Sequence, residues 1–216
     1  IAANTAKVTN ATHTGDVTGA TALTIATDAV DIAMLSATGT ASATTFLRGD
    51  NAWSTPASPL FSSYAIIADQ QANGGTGGGT ATGGSVWRTR DLNTEIADPD
   101  GIVSISSNRF SLEAGSYLIN WTCPFYRVDY VISRLYDYTN TAESQIGCAG
   151  MTISVVDRAE QVMFVSGSGR VTPSGTTEYE IQYECQTTQA GNGLGIADYF
   201  VTAIDQYTLV EIFKEA

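Results

Sequence analysis

The sequence predicts an all-β protein in two parts, a thin stem of very short strands followed by an antiparallel β-sandwich. Three observations predict it. The composition changes near residue 60, from a strip dominated by Ala, Thr, Ser and Gly to one with long apolar runs. Gly, Pro, Asp or Asn punctuate nearly every gap between those runs. No helical period appears anywhere beyond the change. We place the stem at residues 1–59 and the sandwich at 60–216.

In the stem, Ile1 and Val8 stand one heptad apart with Thr5 between them, the pattern of the tail of a narrow coiled coil. Beyond Gly15 the β-branched runs at 17–18, 23–25 and 30–32 read as very short strands separated by turns, without helix caps. The larger apolar residues, among them Phe46, Leu47 and Trp53, are isolated, and such a strip cannot offset its ordering entropy alone. Identical copies wrapped about one axis would bury Leu23 and Ile25 together, which makes the stem a fibre shaft and the chain a symmetric homo-oligomer. A chain that opens on Ile1 reads as a fragment of a longer protein.

In the second part, strands are expected at 64–68, 85–92, 102–106, 109–112, 116–123, 131–138, 145–152, 162–171, 178–187 and 202–214. The glycine-rich run 73–84 reads as a flexible loop. The clearest strand turns Tyr179, Ile181, Tyr183 and Cys185 one way and Glu178, Glu180, Gln182 and Glu184 the other, so one face is expected in the core and the other in water. The last strand is apolar on both faces, with Leu209 and Phe213 opposite Val210 and Ile212. Its second face asks for cover from a neighbouring subunit, and Leu209, Glu211 and Phe213 are the expected interface. Many short strands at this spacing indicate a sandwich or jelly roll.

Charge and cysteine usage exclude several functions. A net charge of -12, from 22 acidic against 10 basic residues, argues against nucleic acid or an anionic bilayer as partner. No run approaches the roughly 18 apolar residues of a membrane span, and no signal-peptide pattern follows Ile1. Cys123, Cys148 and Cys185 are too few and too scattered for a disulfide scaffold or a zinc site and read as buried free thiols, a Cys123–Cys185 bridge being the alternative.

The sites that carry chemistry are sparse. His13 is the only histidine, so the second part holds no Ser-His-Asp or Cys-His arrangement; His13 itself reads as a turn residue, or as one of a threefold ring on the stem axis. Glu178, Glu180 and Glu184 share a strand face at spacings of ~7 Å, compatible with a glycosidase but equally with a solvated face. Asp98-Pro-Asp-Gly101 reads as a β-turn, or as a fragment of a calcium loop lacking the later glutamate. The glycine run lacks the Lys-Ser/Thr ending of a phosphate loop, and Arg48-Gly-Asp50 reads as a turn. We expect no cofactor and no metal.

Surface recognition of sugars combines aromatic platforms with short polar side chains in loops. Two loops fit: Tyr138 and Asn140 in the first, Asn192, Asp198 and Tyr199 in the second.

With these residues laid out, the chain resembles the C-terminal region of bacteriophage tail fibres, especially of phages from cyanobacteria and other aquatic bacteria. The stem pieces 3–25 and 33–56, the latter closing on Phe46-Leu-Arg-Gly-Asp-Asn-Ala-Trp53, look like shaft repeats of such fibres. The head carries Trp87-Arg-Thr-Arg-Asp-Leu-Asn-Thr-Glu95, Phe110-Ser-Leu-Glu-Ala-Gly-Ser-Tyr117 and Cys185-Gln-Thr-Thr188, similar to heads with a C1q- or TNF-like jelly roll. The resemblance implies a homotrimer in the virion, joined to other tail proteins through its N-terminal side, whose head binds a bacterial surface receptor such as a glycan or lipopolysaccharide. It carries no binding residue over. The competing expectations are a glycan depolymerase on a fibre scaffold and a purely structural trimerisation cap.

Overall fold

The computed structural model describes residues 17–18, 24–75, 77–153, 161–197 and 204–216. The chain divides into two units, Ile1–Ser58 and Pro59–Ala216. The heptad pair, His13 and Leu23 lie outside the described residues.

In the first unit, β1 (Val17–Thr18) pairs antiparallel with β2 (Thr24–Ile25), and β3 (Phe46–Leu47) with β4 (Trp53–Ser54). The expected strand at 30–32 is replaced by a 3-10 turn over Ile32–Met34, and the reading without caps is corrected with it. The Asp31 carboxylate accepts from the amides of Ala33 at 2.9 Å and Met34 at 3.2 Å. A short acidic side chain that can satisfy nearby amides overrides the β preference of its neighbours where no partner strand competes. Arg48-Gly-Asp50 belongs to the β3–β4 turn, with Arg48 paired to its own neighbour Asp50 at 3.2 Å. No described residue of 24–58 is buried, and Ile25 and Phe46 keep 58% and 48% of their surface exposed. Two-residue ladders cannot hold a chain in order without a buried face.

The second unit is a two-layer antiparallel jelly roll. One sheet contains β5 (Phe61–Ala72), β7 (Thr94–Ala97), β10 (Tyr117–Tyr126), β13 (Val162–Val171) and β15 (Ile204–Glu215), in the order β13-β10-β15-β5-β7. The other contains β8 (Ser104–Ser106), β9 (Arg109–Leu112), β11 (Tyr130–Asp137), β12 (Ala142–Met151) and β14 (Thr177–Cys185), in the order β12-β11-β14-β9-β8, with β6 (Arg88–Thr89) also beside β14. From β9 onward the chain changes layer at every connection except the β11–β12 hairpin. The expected strand at 85–92 shrinks to β6, and the sequence reading missed β7.

Alternation builds the core. Tyr117, Ile119, Trp121 and Cys123 of β10 point inward, as do Tyr179, Ile181, Tyr183 and Cys185 of β14. Trp121 crosses the interior and donates from Nε1 to Ser133 Oγ of β11 at 2.9 Å, so the largest core side chain is apolar in body and satisfied at its tip. Cys123 and Cys185 are buried free thiols, but Cys148 is exposed on β12, a correction to the expectation for all three. It sits between Gly147 and Ala149 on an edge strand, where Ile146 and Met151 are exposed as well. The pairing of β11 with β12 is interrupted between Ile132 and Arg134 and again between Leu135 and Tyr136.

Two further expectations change. The polar face of β14 is not uniformly wet, for Glu180 and Gln182 are buried. Arg109 Nε lies 3.3 Å from Glu180, Thr89 Oγ1 donates to Glu180 at 3.1 Å, and Arg134 Nε donates to Gln182 at 2.8 Å. Arg134 is itself held against the rings of Trp87 and Tyr136, 4.0 and 4.7 Å from their centroids. The row of glutamates is therefore broken up: Glu178 and Glu180 share Arg109, while Glu184 lies in a separate groove beside Tyr130.

From Gly77 to Gly83 the glycine-rich run is packed against the 186–195 segment. Gly78 donates to Gly195 O at 2.9 Å, Leu194 to Gly79 O at 3.1 Å, and Ala81 and Gln189 exchange bonds of 3.0 and 2.9 Å. A Cβ on Gly78 would lie 2.6 Å from Leu194 O and 2.8 Å from the Tyr207 ring, so glycine is required for the backbones to approach. Beside this strap Arg90 is fully buried, donating to Thr208 Oγ1 at 2.9 Å and Leu194 O at 3.1 Å, with Phe125 below its guanidinium.

Candidate ligand-binding site

The two loops named from sequence lie at opposite ends of the sandwich. Asn192 is half-buried near the C-terminal end of β10, where Tyr126 donates to Gly193 O at 3.0 Å. Its Oδ1 accepts from Gln189 at 2.9 Å, and its neighbours Gly193, Leu194 and Gly195 are buried under the glycine strap. That part of the loop closes the core. Asp198 and Tyr199 lie outside the described residues.

The other end is open. Antiparallel pairing of β11 with β14 sets Asp137 opposite Tyr179, bringing the β11–β12 turn against the β13–β14 turn. The first turn is built by Asp137, whose carboxylate accepts from Asn140 N and from Asn140 Nδ2, both at 2.8 Å. Tyr138 donates its amide to Glu178 O at 2.9 Å, and Thr139 Oγ1 accepts from Glu178 N at 2.8 Å. These bonds staple the turn to β14. The Tyr138 ring is 41% exposed, and one of its faces is covered by Arg109, 3.2 Å from the centroid. The second turn, Thr172-Pro-Ser-Gly-Thr176, is anchored where Gly115 donates to Pro173 O at 3.1 Å and Thr176 Oγ1 to the Glu113 carboxylate at 3.0 Å.

Between the turns lies a cleft of about 340 Å³. Asp137, Asn140 and Ser144 form one wall; Arg170, Thr172 and Ser174 form the other. Thr177 and Tyr179 also line it. Of the residues expected from sequence, only Asn140 lines this cleft, and Tyr138 flanks the turn that shapes it. Burial, with the Asp137 charge adding to it, pushes the Tyr179 phenol up to about 12, so it keeps its proton at neutral pH. Arg170 is bound to Glu215 by bidentate contacts of 2.7 and 2.6 Å, a hydrogen bond that holds the Glu215 carboxyl below its usual range.

Sequence reasoning missed Ser144, Thr172, Ser174, Thr177 and Tyr179. The turn chemistry of Pro173-Ser-Gly175 was visible, but nothing local shows which turn it faces. Asp98, the alternative calcium ligand, instead accepts from the amides of Ile102 and Val103 at 2.9 Å each, the work of a turn-closing carboxylate.

Solved structures share similarity with this chain. The globular domain of zebrafish complement 1qA is 12% identical, covering 70% of this chain and 95% of that one, with a TM-score of 0.44. Murine APRIL at pH 5.0 is 8% identical over 70% and 98%, TM-score 0.46, and Eiger TNF from S. frugiperda is 10% identical over 73% and 94%, TM-score 0.44. No protein-family model and no curated protein matches the chain.

Proposed function

We propose that this chain is the tip of a bacteriophage tail fibre, a homotrimeric and non-enzymatic attachment protein in which 1–59 is the shaft and 60–216 the receptor-binding head. The observation that carries the reading is the apolar surface left uncovered in a single chain. Ile25, Val30, Ile32, Met34 and Phe46 are all exposed in the first unit, a strip that gains order only against copies of itself. On the outer face of the first sheet of the head, Phe213 pairs with Tyr64 and Leu118, and Glu211 with Ile66 and Asn120. Leu209, Glu211 and Phe213 are half-buried there, and the Phe61 ring covers Phe213 at a centroid distance of 5.2 Å. A second and third copy laid on this face complete its burial. Three weak receptor contacts on one rigid tip then act together, because linked binding raises effective concentration without new contacts.

The test has two readouts on one sample: mass in solution by light scattering, and decoration of candidate host cells by the labelled chain. A trimer that coats cells supports the proposal. A trimer that coats none leaves the structural cap as the function, and release of reducing sugar from host polysaccharide by the chain would restore the depolymerase. Glu211→Lys is expected to convert trimer to lower-mass species by placing a long cation in the half-buried row between Leu209 and Phe213; an unchanged mass removes β15 from the interface.

A further inference from the structure

We propose that the cleft between the β11–β12 and β13–β14 turns is a binding site for a neutral saccharide unit, with Asn140, Ser144, Thr172, Ser174 and Tyr179 supplying its hydrogen bonds. The inference rests on the attachment reading for its biological use, though not for its chemistry.

The charges in the cleft are already answered by the protein. Both Asp137 oxygens accept from Asn140, and the Arg170 guanidinium is committed to Glu215 through Nε and Nη2 and to Ser116 through Nη2 at 3.2 Å. An anionic ligand would find no unpaired cation in the lining and would approach a chain of net charge -12. The groups left over are of another kind. Among the described residues, the hydroxyls of Ser144, Thr172, Ser174 and Tyr179 make no hydrogen bond within the protein. Each is both donor and acceptor, the same dual capacity that every sugar hydroxyl offers. Tyr179 brings a phenol that stays protonated across the neutral range, and Asn140 adds its amide oxygen, left free when Nδ2 turns to Asp137. The lining between the turns is almost wholly polar, so hydrogen bonds rather than an apolar platform would hold the ligand.

The cleft sits at the lower end of the roughly 300–1,000 Å³ range of small-molecule sites, which suits a single sugar unit rather than an extended chain. Its walls are fixed before binding: Asp137 braces one turn, while Pro173 O and Thr176 tie the other to the β9–β10 connection. Preset walls reduce the ordering cost that a hydroxyl-rich ligand imposes.

Saturation-transfer NMR on the full chain tests this, with glucose, galactose, mannose and N-acetylglucosamine as neutral probes and glucuronate and glucose 6-phosphate as charged ones. We expect transfer to at least one neutral sugar and none to glucose 6-phosphate. Ser174→Trp, at an exposed turn position, should fill the cleft and weaken that sugar roughly tenfold, about 1.4 kcal/mol; Thr172→Trp does the same should the first variant misfold. Transfer to no neutral sugar, stronger transfer to the charged probes, or transfer untouched in the filled variants overturns the proposal. Cell decoration separates the two readings. If Ser174→Trp loses the sugar yet still coats cells that the parent chain coats, attachment runs through another surface and the cleft's role in it falls; if the parent coats none but binds the sugar, the cleft stands and attachment falls.

Discussion

The two ends of the sandwich are made from similarly small, polar-looking sequence, yet one is sealed and the other open. At the sealed end the glycines of 77–83 let backbone lie on backbone, so the strap and the 189–195 loop satisfy each other's amides and leave little space between them. At the open end Ser, Thr, Asn and Tyr keep side chains between the turns, and the space they hold apart is the cleft. Glycine closes by what it lacks, and hydroxyl residues keep a gap lined with bonding capacity.

The comparison breaks most readily at the sealed end. Arg90→Ala strips Thr208 Oγ1 and Leu194 O of their donor and empties space against Phe125; a loss of about 3 kcal/mol or more is expected in urea unfolding. Gly78→Ala drives a methyl group into Leu194 O and the Tyr207 ring and should cost about 1–3 kcal/mol by the same measurement. Alkaline titration reaches both ends together, since burial raises Tyr207 at the sealed end and Tyr179 at the open end to about 12. Both phenols lose protons near their ordinary value of 10.0 once unfolded, so the folded state holds more protons and stability falls as pH climbs from there toward 12. Each unit of separation is worth about 1.4 kcal/mol. Phenolate absorbance from these two rings should rise only as tertiary structure is lost. The smallest effect belongs to Ser174→Ala, which should leave the unfolding free energy within about 0.5 kcal/mol while lowering sugar binding.

The strands of the head were largely legible because alternation is local: β9 and β13 keep their expected bounds, and the inward set of β14 is the one its pattern indicates. Tertiary cover was less so. Nothing near Glu180 announces that Arg109 will reach it across a strand pairing, and nothing near Gly78 announces that Leu194 will lie on it. The cleft was legible at one corner, Asn140, because an aromatic beside short polar residues in a loop is a local pattern; its opposite wall comes from residues about 30 positions on, placed only by the β11–β14 register. In the stem, a polar residue decided the outcome, Asp31 capping a turn where β-branched neighbours had pointed to a strand.

The two slips in the pairing of β12 bear on crowding. β12 ends its sheet, and a straight edge of that length would offer its amides to any passing strand. Because its match to β11 is twice offset, the ribbon is kinked and supplies no long register for another molecule to copy. At high concentration, neighbouring copies of this unit therefore meet no long, straight edge on which to zip into a filament.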